Sequence, residues 1–170
     1  MNYPIIFLDI DGVVNTLQIN TSPYPTNTGK ISREGFYFDL CDITDDRVSN
    51  IQAIMWLNKL CKETKAKIVI SSSWRLFERD EHTTEKCLRN SGLLPEIDII
   101  GATPYLSGEH RGQEIQKWID DNHFNGQFII LDDDKDMDHL IERLVWCDVY
   151  TGFGYQEYSK SLKLLNFTNA

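Results

Sequence analysis

The chain has 170 residues, of which 41% are hydrophobic and 11% aromatic, a composition that is typical of one folded domain with a substantial core. Its formal net charge of −9 disfavours broad attraction to nucleic acids or membranes, because both partners are anionic. Much of the negative charge lies within residues 132–138, so the net charge does not exclude an anion-binding site elsewhere in the chain.

The cysteine pattern and the N-terminus predict a cytoplasmic protein. The four cysteines are widely spaced and form no C-x-x-C pair, so neither a zinc site nor a redox centre is indicated. Unpaired thiols of this kind are typical of a reducing compartment. The N-terminal apolar run is broken at Asp9, too early for a signal peptide or a membrane span.

The first predicted element is a strand that ends in two acids. Residues 5–8 are all apolar, and Asp9, Asp11 and Gly12 follow. A short apolar run bounded by a turn signal predicts a strand buried on both faces of a parallel sheet. Because side chains alternate along a strand, the two carboxylates can point the same way if the extended conformation persists. They would then lie at the carboxyl end of a strand, where open α/β sheets bind ligands.

Residues 16–44 are rich in Thr, Asn, Pro and Gly and predict an irregular or hairpin insertion over the carboxyl end of the first strand. A connection of about thirty residues is long for a compact domain. Two interpretations stay open. The insertion is either a functional lid, forming a flap or small cap, or a surface excursion packed down by the aromatic residues 36–38.

The rest of the chain predicts helices that alternate with strands. The predicted helices are 44–64, with N-cap candidates at Thr44, Asp45 and Asp46, then 83–90 with Gly92 as its stop, 111–122, a short one near 137–144, and 156–165. The predicted strands are 67–70, 97–100, 128–131 and 145–150. This alternation, without a linker or a repeat, predicts a single domain over residues 1–170, with a three-layer α/β/α sandwich around a parallel sheet.

Three of the predicted strands end in polar side chains that would share one edge of the sheet. These are Asp9 and Asp11 after the first strand, Ser71 and Ser72 after the second, and Asp132 and Asp133 after the fourth. Carboxylates that converge from two strands repel each other unless a hard cation bridges them. Mg²⁺ suits such a site because it prefers oxygen ligands and usually keeps substrate phosphate in its shell. A hydroxyl and a guanidinium nearby would hold the remaining phosphate oxygens.

Four segments together resemble the motifs of the haloacid dehalogenase (HAD) superfamily. They are DIDGVVN at 9–15, VIS at 69–71, Arg111 before a helix, and LDDD at 131–134. With SSSWR at 71–75 and GATP at 101–104, the chain resembles more narrowly the HAD domain of Swiss Army Knife RNA repair proteins. The resemblance covers nearly the whole chain and is specific because of the order and spacing of the motifs.

The resemblance implies a Rossmann-like sheet, a minimal cap and a role for each acid. Asp9 would be the nucleophile that forms an aspartyl-phosphate, and also a metal ligand. Asp11 would protonate the leaving oxygen and then activate water, while its backbone carbonyl binds Mg²⁺. Asp132 would bind the metal directly, and Asp133 directly or through water. Ser71 would hydrogen-bond a phosphoryl oxygen, with Ser72 as the alternative register.

The basic residue departs from the commonest pattern of the superfamily, which has lysine. Arg111 is the candidate for the catalytic cation, because a cation at a helix N-terminus opposes the helix dipole and local helix stability does not explain it. A solvated surface arginine is the competing interpretation. Arg75 is a second candidate that would share the role or contact the rest of the substrate. Trp74 is either a core residue or a substrate-binding platform.

The expected function is that of a Mg²⁺-dependent phosphatase, a hydrolase of phosphomonoesters. In this superfamily a small cap goes with large substrates, so the RNA-repair resemblance favours a phosphorylated polynucleotide end, although the net charge argues against it. One alternative is a small phosphate ester, such as a nucleotide or a sugar phosphate, under the insertion. A less favoured alternative is a non-catalytic phosphoacceptor or binding domain. No membrane partner is expected, and the sequence does not determine a protein partner.

Overall fold

A five-stranded parallel sheet forms the centre of the computed structural model, which describes residues 3–16, 50–76 and 83–167. The strands are β1 (Ile5–Leu8), β2 (Lys67–Ile70), β3 (Ile99–Ala102), β4 (Phe128–Asp132) and β5 (Leu144–Trp146). Their order is β3-β2-β1-β4-β5, and each neighbouring pair is parallel. β1 therefore lies in the middle, as its apolar sequence predicts, and its four side chains are fully buried.

Helices cover both faces of the sheet. In the described part of the chain they are α1 (Ile51–Thr64), α2 (Thr84–Asn90), α3 (Arg111–Asp121) and α4 (Tyr155–Leu164), with two 3₁₀ helices at Ser73–Leu76 and Asp138–Arg143. Ile6 and Leu8 face a larger core that includes residues of α1, α2 and α4. Ile5 and Phe7 face a smaller core that includes residues of α3 and the second 3₁₀ helix. The predicted three-layer α/β/α architecture is confirmed.

Three elements differ from their predicted bounds by more than one residue. α1 begins at Ile51 because the Asn50 side chain caps it, accepting a hydrogen bond from the Ala53 amide at 3.0 Å. The predicted caps at 44–46 lie outside the described residues, as does the predicted insertion at 16–44 apart from Thr16. β3 runs two residues later than predicted, because the Ile97 amide is still engaged in a turn with the Leu94 carbonyl.

The third boundary is at the end of β5. The strand stops at Trp146 instead of continuing to residue 150, since Asp148 begins a turn closed by hydrogen bonds from the Thr151 and Gly152 amides. The short helix predicted near 137–144 is the second 3₁₀ helix.

The carboxyl ends of β1, β2 and β4 are in register, and this aligns the residues that follow them. Leu8 pairs with Ile70 on one side and with Leu131 on the other. The ladder continues one step further, because the Asp9 amide donates to the Leu131 carbonyl at 2.9 Å and the Ser71 amide to the Leu8 carbonyl at 2.8 Å. The predicted site residues are thereby brought to one edge of the sheet.

Gly12 makes the turn after β1 possible. Its φ of +72° lies in the left-handed region, and a Cβ at this position would overlap the Asp133 side chain. The turn is closed by a hydrogen bond from the Gly12 amide to the Asn15 carbonyl at 2.7 Å. Glycine therefore lets the β1 turn approach the acids at the end of β4.

In the described ranges no helix combines the length and the apolar character that crossing a membrane requires.

Candidate active site

Three carboxylates meet at the carboxyl edge of the sheet. Oxygen atoms of Asp9, Asp132 and Asp133 all lie within 4.8 Å of one another. Asp9 and Asp132 are buried, and Asp133 is half-buried. The side chain of Asp11 is not part of this cluster and is held elsewhere, by Asn15 and Trp74. Three of the four predicted metal ligands thus come together through their side chains.

Burial and mutual repulsion make these acids resist ionisation. Burial raises the pKa of Asp9 well above its usual range, and the neighbouring Asp132 carboxylate raises it further. Burial also raises the pKa of Asp132 to about 7. The pKa of Asp133 is raised by burial first, with a smaller contribution from nearby Asp134. The Arg111 guanidinium opposes all three rises but does not cancel them.

The donor set fits a divalent cation. Oδ1 of Asp132 accepts a hydrogen bond from the Asp134 amide at 2.9 Å, whereas Oδ2 is buried without a hydrogen-bond partner within the described ranges. Buried carboxylates are normally paired or bind metals. Clustered carboxylate oxygens are also the ligands that Mg²⁺ prefers. A divalent cation held here would remove the cost that raises these pKa values.

Arg111 faces the acids from the start of α3. Its Nη2 lies 3.7 Å from Oδ1 of Asp9, and its Nε lies 3.7 Å from Oδ2 of Asp132. The Arg111 amide donates to Oδ2 of Asp136 at 3.1 Å, which fixes the first turn of the helix. The side chain is 19% exposed. Arg111 is therefore not a solvated surface arginine, and its cationic head lies beside the candidate nucleophile.

Glu114 binds both arginines, and sequence reasoning missed it. Oε2 accepts from Nη2 of Arg75 at 2.7 Å and from Nη1 of Arg111 at 3.3 Å. Oε1 accepts from the Leu106 amide at 3.1 Å. Its position three residues after Arg111 in a helix is the one signal that could have indicated this contact. Glu114 holds the Arg111 side chain against the edge of the sheet.

Arg75 is committed to other groups. Its guanidinium donates to the carbonyls of Ser72, Thr103 and Pro104 as well as to Glu114, and its side chain is 7% exposed. Burial lowers its pKa, and Glu114 opposes that change. Arg75 thus joins the end of β2 to the exit of β3. Its predicted contact with substrate stays a prediction, and Arg111 is the better placed of the two cations for a phosphoryl group.

The two candidate serines have different contacts. Both are buried, and the hydroxyl of Ser71 has no hydrogen-bond partner among residues 3–16, 50–76 and 83–167. The Ser72 hydroxyl favours the charged form of the Asp9 carboxylate and so opposes the rise in its pKa. Ser72 Oγ also lies 3.4 Å from the Trp74 amide. Ser71 therefore offers an unused donor at the edge of the sheet where the candidate nucleophile Asp9 lies, while Ser72 affects the charge of Asp9.

Comparison with known families agrees with this geometry. A family model described as the HAD domain in Swiss Army Knife RNA repair proteins matches residues 5–157. The chain belongs to this HAD family. A search of curated proteins and a search of solved structures found no significant match. Membership supports a phosphatase of the HAD type in general, and the matched range includes every candidate site residue.

Trp74 of this HAD domain lies in the core and contacts an acid. Its ring is 7% exposed, and its Nε1 donates to Oδ2 of Asp11 at 2.9 Å. Asn15 Nδ2 donates to Oδ1 of the same carboxylate at 2.8 Å. Little of the indole surface is left for stacking on a substrate, and the indole N–H already binds Asp11. The role of Trp74 as a substrate-binding platform therefore stays a prediction. The role of Asn15 was not foreseen, although it stands in the first motif.

A shallow cavity of about 170 Å³ adjoins the site of this HAD domain. Arg111, Glu114, Leu76 and Tyr105 are among the residues that line it, and the Tyr105 ring is exposed. Ligand pockets that enclose a small molecule are usually about 300–1,000 Å³. The described residues therefore form a recess beside the acids that is too small to enclose a nucleotide.

Proposed function

We propose that this HAD domain is a Mg²⁺-dependent phosphatase that hydrolyses a phosphomonoester through an aspartyl-phosphate on Asp9. The observation that carries the proposal is the position of Asp9 at the end of the central strand, in one cluster with Asp132 and Asp133 and 3.7 Å from Arg111. An anionic nucleophile must approach an anionic phosphate there. Opposing charge held in a poorly solvated site is an effective way to lower that barrier.

In the first half-reaction, a carboxylate oxygen of Asp9 attacks phosphorus and the bond from phosphorus to the leaving oxygen breaks. Asp11 donates a proton to that oxygen as it leaves. Arg111 and the unused Ser71 hydroxyl bind non-bridging phosphoryl oxygens, and Ser72 orients Asp9. Asp9, Asp132 and Asp133, with the backbone carbonyl of Asp11, would hold Mg²⁺, which when bound neutralises charge on the acids and the phosphate.

In the second half-reaction, Asp11 takes a proton from water and the resulting hydroxyl attacks phosphorus. The bond between phosphorus and Asp9 breaks, which releases inorganic phosphate and restores the carboxylate. Asp11 is suited to both steps because its side chain lies outside the acidic cluster. The presence of this second acid also favours a turnover enzyme over a non-catalytic phosphoacceptor.

The proposed substrate is a phosphorylated polynucleotide end. The family takes its description from RNA repair proteins, which supports this class. The recess beside Arg111 is small, so it suits a substrate most of which stays outside the recess. A nucleotide or a sugar phosphate is the second candidate, and the net charge of −9 favours it because that charge opposes a long polyanion.

A substrate screen with a matched inactive variant tests the proposal. Phosphate release is measured with Mg²⁺ and with excess chelator over RNA and DNA ends phosphorylated at 3′ or 5′, nucleotides, sugar phosphates and phosphopeptides. We expect turnover that requires Mg²⁺ and is lost in Asp9→Asn. Full activity in that variant or in chelator contradicts the mechanism, and a preference for sugar phosphates contradicts the polynucleotide assignment.

A further inference from the structure

Asp11 is held by two neutral donors, one for each carboxylate oxygen. Asn15 Nδ2 donates to Oδ1 at 2.8 Å, and Trp74 Nε1 donates to Oδ2 at 2.9 Å. The two donors have different origins. Asn15 belongs to the same turn as Asp11, whereas Trp74 comes from the 3₁₀ helix after β2, 63 residues further along the chain.

The indole of Trp74 is rigidly placed. Its ring packs in the larger core, and its backbone amide lies 3.4 Å from the Ser72 hydroxyl. The next residue, Arg75, ties the same segment to the carbonyls of Thr103 and Pro104. A buried donor without a partner is costly, so the indole N–H keeps its acceptor. Trp74 therefore imposes on Asp11 an orientation that is set by the core.

The same contacts leave lone pairs free on both carboxylate oxygens of Asp11. A carboxylate has about four lone-pair sites, so one donor on each oxygen leaves a further site on each for the proton in transit. Arg111 contacts Asp9 and Asp132 and is not one of the two donors that hold Asp11.

We propose that Trp74 is a positioning residue for proton transfer: its indole N–H holds the Asp11 carboxyl where it meets the leaving oxygen of the substrate. This inference rests on the proposed phosphatase function and adds a residue to it. General acid catalysis needs the acid within hydrogen-bond reach of the leaving oxygen, and small misplacements of a reacting group are expensive. The competing explanation is that the hydrogen bond only satisfies a buried tryptophan.

Trp74→Phe separates these explanations, because it keeps an aromatic ring in the core and removes the N–H. Trp118→Phe is the matched control. Trp118 is also 7% exposed, but it packs in the other core, edge-on to Phe7, with no contact to Asp11. A purely structural role of the Trp74 ring predicts that both variants lose thermal stability and keep their activity per folded molecule.

The readout is the dependence on the leaving group. 4-Nitrophenyl phosphate and benzyl phosphate are similar in size, but the benzyl oxygen is much more basic and needs a proton to leave. Their kcat/KM values report the half-reaction in which that oxygen departs. We expect Trp74→Phe to lower kcat/KM for benzyl phosphate about tenfold or more, and for 4-nitrophenyl phosphate less than about threefold, since general acid assistance is worth roughly 10²–10⁴-fold. Trp118→Phe should change both equally or not at all.

Each alternative outcome has a definite meaning. An equal fall with both esters, or a loss of stability alone, overturns the positioning role and leaves the phosphatase proposal standing. A wild-type protein that hydrolyses neither ester nor any other phosphate with Mg²⁺ overturns both proposals. If Trp74→Phe does not fold, Asp11→Ala is compared with wild type by NMR. One of the four indole N–H resonances must then shift, and an unchanged set overturns the hydrogen bond on which the proposal rests.

Discussion

The crowding of acids at the edge of the sheet predicts an unusual dependence of stability on pH. Asp132 is expected to ionise freely in the unfolded chain, but burial raises its pKa to about 7 in the folded, metal-free protein. The folded state therefore binds a proton that the unfolded state has lost between about pH 4 and pH 7. Stability in chelator should fall as the pH rises through this window and level off above it.

The size of this effect follows from the same comparison. A rise from 3.8 to about 7 corresponds to roughly 4 kcal/mol as an upper limit, at about 1.36 kcal/mol per pKa unit. For a chain of this length, about 1 kcal/mol changes Tm by roughly 2–4 °C. About 3 kcal/mol of this is lost between pH 4.5 and pH 8, so the metal-free protein should lose up to roughly 6–12 °C of Tm over that range.

Asp132→Asn isolates the contribution of this one group. The amide oxygen can still accept the hydrogen bond from the Asp134 amide, while the ionisable proton is gone. Removing the Asp132 charge also relieves Asp9, whose pKa the Asp132 carboxylate raises. We therefore expect the Tm of the variant to fall less steeply with pH than that of wild type, although burial still raises the pKa of Asp9 and Asp133. Asp120→Asn, which removes the same charge from an exposed position on α3, is the control and should behave as wild type.

Thermal unfolding in chelator, followed by circular dichroism from pH 4.5 to pH 8, measures the difference. His110 acts in the same direction, because Asp138 raises its pKa and the stability gained is lost as the pH rises through that pKa. His110 is present in wild type and in both variants, so its contribution to the slope is the same in all three proteins and cancels in the comparison. A wild-type Tm that is flat or rises with pH, or an Asp132→Asn variant with the wild-type slope, would refute the reasoning.

Three further predictions concern α3. Arg111→Ala should lower kcat by about 10²–10³-fold in steady-state assays, because it removes a charged donor for the phosphoryl group. Arg111→Lys should keep part of the activity. Equal rates for the two variants would contradict this role. Glu114→Gln should lower kcat/KM less than Arg111→Ala does, since it weakens the contacts that hold Arg111 and Arg75 but keeps the Arg111 guanidinium. A larger loss would mean that Glu114 acts directly. Gly112→Ala should cost about 1–3 kcal/mol in denaturant unfolding, because a Cβ there would overlap the Met137 carbonyl, whereas Gln113→Ala on the exposed side should be near neutral.

The sheet and the acids were predictable because their signals are local. Four-residue apolar runs specify strands that are buried on both faces, and residues 5–8 are the clearest case. Once the sheet is parallel, the residues after β1 and β4 must share an edge, so Asp9 and Asp132 come together without any knowledge of packing. Arg111 could be placed for the same reason, as the first residue of the helix that precedes β4.

The edge strand β3 was less predictable. The segment at 97–100 suggested its limits because three of its four residues are isoleucine, but Ile97 and Asp98 precede the strand. The last two residues of β3, Gly101 and Ala102, are exposed and carry no apolar signal. Pairing with β2, in which Ala102 lies opposite Ile70, determines where the strand ends. That information is not present in the local sequence.

Contacts between distant segments account for what was missed at the site. Arg75 and Glu114 are 39 residues apart, and their pairing depends on how the end of β2 meets the start of α3. Trp74 and Asp11 are further apart still. Composition and spacing indicate that an arginine or a tryptophan is near the site, but not whether its donors are already engaged. The structure separates Arg111, which faces the acids, from Arg75, which is held by carbonyls.

The central claim is that Asp9 is the nucleophile, and trapping the phosphoenzyme tests it most directly. Wild type and Asp11→Asn are mixed with a phosphorylated substrate and Mg²⁺, quenched in acid during turnover, digested and analysed by mass spectrometry. We expect a phosphoryl group on the peptide that contains Asp9, at higher occupancy in Asp11→Asn because the water that attacks it is no longer activated. Hydrolysis of the substrate without a phosphoryl group on Asp9, or undiminished turnover in Asp9→Asn, would contradict the account.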